Sequence, residues 1–123
     1  MSRLFFLLSI VLFAAALPMR AHHSVLPFDG SRAVVVSGIV GDVVWGNPHV
    51  YIAVHADGSS SRGRWVIEIE SPAVLSRIGW RRDSIRAGDR VRSVGAPAKD
   101  GSRMMRCQSV ALPSGAELPC YPR

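Results

Sequence analysis

The sequence predicts a mainly β fold, a small five-stranded OB-like barrel with one helix between strands 3 and 4. Three observations lead there. Apolar and polar residues alternate with period two along several short segments. One capped helix candidate falls between the third and fourth of them. The first segment is long, rich in valine and interrupted by Gly38 and Gly41, as a strand must be if it bends to serve both sheets of a closed barrel. A plain five-stranded meander with a packed helix has the same element order and is the runner-up.

Each element has its own warrant. The first strand is read at Ala33 to Trp45, followed by a Gly46-Asn47-Pro48 turn. In His49 to Ala56, Val50, Ile52 and Val54 point one way and His49, Tyr51, Ala53 and His55 the other. Asp57 to Ser61 reads as a hairpin loop. Arg64 to Glu70 alternates again, with Trp65, Ile67 and Ile69 on the apolar face. Ser71 caps the helix, Pro72 suits its first position, Val74, Leu75 and Ile78 form its apolar side, and Gly79 stops it. Arg81 to Gly88 is a connector with one further helical turn at Asp83-Ser84. Asp89 to Ala96 and Arg103 to Leu112 are the fourth and fifth strands, separated by a turn at Lys99 to Ser102. The tail from Pro113 onward holds three prolines and reads as irregular.

The chain opens with Arg3 followed by 14 uncharged residues, Leu4 to Leu17. That run is short for a membrane span, which takes roughly 20 residues. With small residues at Ala14, Ala15, Ala16 and Ala21, it reads as a secretory signal peptide cleaved after Ala21. An uncleaved anchor is the alternative. The expected organisation is signal peptide 1–21, N-terminal arm 22–32, barrel 33–112 and tail 113–123. The mature chain is expected to be periplasmic or secreted, with no transmembrane segment. The whole chain carries a net charge of +6. Removing Arg3 and Arg20 leaves 13 basic residues against 9 acidic, a net +4, and Lys99 is the only lysine. Export argues against nucleic acid as the partner of that charge. An envelope protein or a small anionic ligand fits it, as does simple solubility.

Cys107 and Cys120 can pair in an oxidising compartment. Their spacing is not that of a CxxC redox motif, so a structural disulfide is favoured over a redox pair.

The quoted residues also form a pattern. Ala21-His22-His23-Ser24, Phe28-Asp29, Trp45-Gly46-Asn47-Pro48-His49, Glu70-Ser71-Pro72, Gly79-Trp80, Ala87-Gly88-Asp89 and Gly95 to Ser102 occur in that order. Together they resemble a family of small exported bacterial proteins, domain of unknown function 6152, across essentially the whole mature chain. The resemblance implies a periplasmic OB-like barrel and brings no established activity. Relatives typically carry a small residue three positions before the cut, where this chain has Met19.

Cleavage after Ala21 makes His22 the first residue, whose free amine and imidazole can chelate one ion. Both are good ligands for Cu(II), which tops the divalent affinity order. His23 offers a second ring, and His49 is the barrel histidine favoured to join them. Trp45, Asn47, Tyr51 and Glu70 are the candidate ligand-binding residues. A loop centred near Ser59-Ser60 sets Glu68 opposite Tyr51 and Glu70 opposite His49, gathering imidazole, phenol and carboxylate on one patch. The competing reading gives His55, Glu68 and Glu70 ordinary surface roles, the glutamates pairing with arginines such as Arg64. Trp65 is read as core. Trp45 and Trp80 are left open between core and ligand platform. Asp29 is read as a cap or turn residue, and the arginines from Arg81 to Arg92 as a solvated face. No catalytic residue is assigned: the sequence has no GxSxG and no framed carboxylate dyad. The expected function is a non-catalytic barrel that binds copper through its N-terminal histidines. The alternative is an interaction module for an envelope protein or anionic ligand.

Overall fold

A computed structural model describes residues 27–122. Its elements are β1 (Val34–Val44), β2 (Tyr51–Ala56), β3 (Gly63–Glu68), α1 (Pro72–Arg77), β4 (Arg90–Pro97), β5 (Met104–Ala111) and β6 (Glu117–Pro119). The strands run in the order β3-β2-β1-β4-β5-β6, and β3 also pairs with β5. That additional pairing is parallel, while every other named pair is antiparallel. It closes a five-stranded barrel of OB-like form, with the one helix between β3 and β4.

β1 does what its glycines suggest. Its first half pairs with β4, from Val34 opposite Gly95 to Ile39 opposite Arg90. Its second half pairs with β2, from Gly38 opposite Ala56 to Val44 opposite Tyr51. The register slips between Val40 and Asp42, placing a bulge at Gly41. At Gly38, where β1 lies against both neighbours, a β-carbon would collide with the His55 carbonyl. Only glycine lets the two backbones approach so closely.

The alternating residues fill the interior. Val50, Ile52 and Val54 from β2 and its approach, and Trp65, Ile67 and Ile69 from β3 and its exit, are all buried. They join Val36, Val40, Met105 and Val110 in one core. Each such side chain withdrawn from water contributes about 1.5–3 kcal/mol. Trp65 is a core residue, and its indole N–H donates to the Ser61 carbonyl at 2.6 Å. The helix is six residues long, too short to stand alone in water. Ser71 caps it by accepting from the Val74 N–H at 3.4 Å, and Leu75 inserts its one buried side chain into the core.

Two segments differ from the sequence expectation. The tail is not irregular throughout. Hydrogen bonds between Leu112 and both Gly115 and Ala116 reverse the chain, and β6 then pairs with β5 from Ala111–Glu117 to Ser109–Pro119. An edge position tolerates Pro119, which has no N–H to give. The Cys107–Cys120 disulfide, with Cα atoms 5.6 Å apart, and the Trp80 indole, which donates to the Pro119 carbonyl at 2.6 Å, hold this strand in place. Closing so short a loop contributes roughly 3 kcal/mol in the chain-entropy picture. Trp80 is thereby a core residue at 3% exposure rather than a ligand platform. The second difference is at Asp83-Ser84, where a hydrogen-bonded turn replaces a helical one. The Ser84 N–H donates to the Arg81 carbonyl, and the Ser84 hydroxyl accepts from the Arg81 N–H. Among the described residues no helix is long and apolar enough to cross a membrane.

Gly38→Ala should therefore destabilise the barrel by about 3 kcal/mol or more, at the upper end of overpacking costs. Urea denaturation checks it, and a midpoint equal to that of the unaltered protein would refute the close approach.

Candidate functional site

The outer face of β2 and β3 carries the polar residues that alternate with the core. Tyr51 stands opposite Glu68 in the ladder. Main-chain hydrogen bonds continue beyond the strand ends, from Val50 N–H to the Glu70 carbonyl at 3.1 Å and from Ile69 N–H to the Val50 carbonyl at 2.9 Å. Ile69 and Glu70 thus both face Val50, a bulge that sets Glu70 against Val50 rather than opposite His49 as the alternation suggested. His49 Nδ1 lies 3.5 Å from Glu68 Oε1. The His49 and Tyr51 rings meet edge to face, with centroids 6.3 Å apart and planes 83° apart.

The residue that organises this patch comes from the far side of the barrel closure. The parallel β3–β5 register sets Arg106 opposite Glu68. Its guanidinium donates through Nη1 to Glu68 Oε1 at 3.2 Å and through Nη2 to Glu70 Oε1 at 2.7 Å. Glu68 is 8% exposed, and a carboxylate so covered needs a partner to remain charged at reasonable cost. Arg106 supplies it, with the two bonds aimed at two different carboxylates. The glutamates pair with Arg106 and not with Arg64, which is exposed and stands opposite His55. Sequence reasoning missed Arg106. Its outward parity on β5, between buried Met105 and Cys107, was a readable signal, but its neighbours across the closure were not.

Other sequence candidates fall elsewhere. Trp45 is half-buried against the core. Asn47 is exposed in the turn, and its peptide bond to Pro48 is cis. His55 is exposed, about 20 Å along the strand from His49 at the usual rise per residue. Asp29 makes a turn, accepting from the Ser31 N–H at 3.1 Å and hydroxyl at 2.6 Å, which hold its carboxyl below the usual carboxylate range. The arginines from Arg81 to Arg92 are exposed, with Arg81 and Arg86 of the connector on Asp83 and Arg90 of β4 on Asp57. His22 and His23 lie outside the described residues. Among those described, no group of three or more His, Cys, Asp and Glu side chains is arranged to hold a metal ion. His49 and Glu68 are a pair, and the outer carboxylate, Glu70, is turned to Arg106.

A cleft of about 570 Å³ adjoins the patch, lined by Phe28, Glu70, Ala96, Arg106, Gln108 and Tyr121. Phe28 is buried, and its backbone bridges to Ala98 in a short antiparallel contact. The Lys99 N–H donates to the Pro27 carbonyl at 2.8 Å, and the Asp29 N–H to the Pro97 carbonyl at 2.8 Å. The arm leading to the barrel is thus tied down beside Glu70 and Arg106. Within this patch the Glu68 and Glu70 carboxylates and the Arg106 guanidinium leave one net negative charge beside the His49 imidazole.

Over residues 10–106 the chain matches the profile of a family of unknown function, DUF6152, and it belongs to that family. No match was found among curated proteins. Two solved structures of TiaS resemble it in part. The mutant of TiaS lacking its ZRD, in complex with agmatine, is 15% identical with a TM-score of 0.49, covering 68% of this chain and 22% of that one. A complex of TiaS with tRNA and ATP is 15% identical with a TM-score of 0.49, covering 69% of this chain and 19% of that one. The chain spans about a fifth of the length of those structures, and similarity of that degree implies nothing about its activity.

Burial first, and the Glu68 carboxylate second, raise the Tyr51 phenol above its ordinary value of 10.0. The fold thus favours the neutral phenol. The stabilisation is present below pH 10 and is lost as pH rises through the raised value. The chain has two tyrosines. In metal-free Tyr121→Phe protein, ultraviolet absorbance should show the remaining phenol ionising above pH 10, and Glu68→Gln should bring the midpoint partway down. A midpoint at or below 10 would contradict this environment.

Proposed function

We propose that this chain is exported, that residues 1–21 are its signal peptide, and that the mature protein binds Cu(II) in the periplasm or outside the cell. The role is one of binding rather than catalysis. The His22 amine and imidazole begin the site, and His23 and the barrel's His49 supply further nitrogen donors. Copper would contribute its preference for such ligands.

One observation carries the reading. The arm enters the described structure at Pro27 and Phe28, on the rim of the cleft whose wall is Glu70 and Arg106. Arg106 bonds Glu68, and Glu68 lies beside His49. Five residue steps separate His22 from Pro27, a reach of up to about 17 Å. The net negative charge left by Glu68, Glu70 and Arg106 favours a cation there. The Cys107–Cys120 disulfide suits an oxidising compartment.

A second reading, an interaction module for an envelope protein or a small anionic ligand, is favoured by a different surface. Val35, Ile39 and Val44 of β1 are exposed apolar residues on a basic protein. That role predicts binding that weakens with salt as the arginines are screened.

Cu(II) competition titration of the mature chain, His22 to Arg123, separates the two. The copper reading expects acetylation of the His22 amine, or His22→Ala, to lower affinity at least about tenfold, equivalent to 1.4 kcal/mol. Unchanged affinity in both would refute it.

A further inference from the structure

We infer that Glu68, itself held by Arg106, is a positioning residue that fixes His49 as its Nδ1–H tautomer and leaves Nε2 as the open donor of the ring. The inference deepens the copper reading and rests on it for the identity of what Nε2 would meet. The tautomer itself is a property of the metal-free protein.

Every neutral imidazole exists as one of two tautomers. One ring nitrogen carries the proton and the other carries a lone pair. In a solvated side chain the two forms interconvert freely. At His49 the surroundings of the two nitrogens differ. Nδ1 faces the Glu68 carboxylate at 3.5 Å. A proton on Nδ1 points a positive N–H at an anionic oxygen, whereas a bare Nδ1 would set a lone pair against it. The distance is long for a hydrogen bond. The preference survives it, because Glu68 is largely withdrawn from water and the local field is weakly screened.

The carboxylate cannot swing away to relieve or alter this contact. The oxygen that faces His49, Oε1, is the same one that accepts from Arg106 Nη1 at 3.2 Å. Arg106 is in turn fixed by its second bond to Glu70 at 2.7 Å and by its place on β5, registered against Glu68 across the barrel closure. On the other side the Tyr51 ring meets the imidazole edge to face and limits its rotation. The chain of control therefore runs from strand register to guanidinium, carboxylate and imidazole.

What this arrangement does is familiar from metal sites in general. A carboxylate behind a ligating histidine selects the tautomer, sets the ring plane and raises the basicity of the other nitrogen. It also explains why the two glutamates are not themselves the donors here. Their facing oxygens are engaged by Arg106, which leaves the imidazole as the group offered outward, with 29% of its side chain exposed.

The test is nitrogen-15 NMR of the histidine rings in the metal-free mature chain, recorded well above the ordinary histidine value of about 6.5 so that the ring is neutral. His49→Ala identifies the signals. The expected result is a protonated Nδ1 and a bare Nε2 at His49. Glu68→Leu should lose that preference and lower Cu(II) affinity about 10- to 100-fold. Glu68→Gln, which keeps an oxygen for Arg106 to hold, should retain the tautomer. A protonated Nε2 in the unaltered protein would overturn the inference, as would an unchanged tautomer in folded Glu68→Leu. If Glu68→Leu does not fold, the unaltered protein and Glu68→Gln decide the matter. Should the tautomer be as stated while His49→Ala leaves Cu(II) affinity unchanged, the positioning stands and His49's part in the copper site falls.

Discussion

The parallel pairing of β3 with β5 is the constraint on which the rest of this molecule depends. Without it the strands would form an open sheet with two free edges. With it β3 meets β5, the core becomes enclosed, and β1 bends to serve β2 and β4 at once. The glycines at 38 and 41 answer that need, one by allowing backbones to touch and the other by accommodating a bulge. The same closure has a chemical consequence. Its register, Val66–Met104, Ile67–Met105 and Glu68–Arg106, sets a guanidinium on top of a carboxylate that would otherwise be covered without a partner.

Glu68 and Arg106 therefore tie fold and site together. A carboxylate at 8% exposure is costly unless paired, and removing one member of such a pair leaves an uncompensated group behind. Arg106 satisfies two glutamates at once, and the patch keeps a single negative charge beside His49. The chain as a whole carries a net charge of +6, whereas this patch is negative. That difference makes it the natural place to seek a cation, while the exposed apolar residues of β1 and the connector's arginines belong to other surfaces.

Much of the fold was legible in the sequence, and the reasons are local. Alternation marks β2 and β3 because one side of each strand must be buried. Ser71-Pro72 marks the helix because cap and first turn have specific chemistry. The Tyr51–Glu68 rung was legible because a short hairpin fixes its own register. What escaped notice was non-local or masked by composition. Arg106 meets Glu68 and Glu70 only because β5 returns beside β3, some 36 to 38 residues away in sequence, and no periodicity encodes that encounter. Trp80 gave no parity signal, since it lies in a connector, and its burial follows from a bond to Pro119 in the tail. The three prolines of that tail obscured β6, which exists because the disulfide and the indole hold it against β5.

The functional account joins this barrel face to the residues that precede it. Its central claim is that the mature N-terminus and His49 bind one Cu(II) ion together. Pulsed electron paramagnetic resonance of the mature chain loaded with one equivalent of Cu(II) addresses this directly, because the remote nitrogen of a coordinated imidazole modulates the echo. The account predicts imidazole modulation that weakens in His49→Ala as one coordinated ring is removed, together with a directly bound amine nitrogen lost when the His22 amine is acetylated. Identical spectra from all three proteins would contradict it.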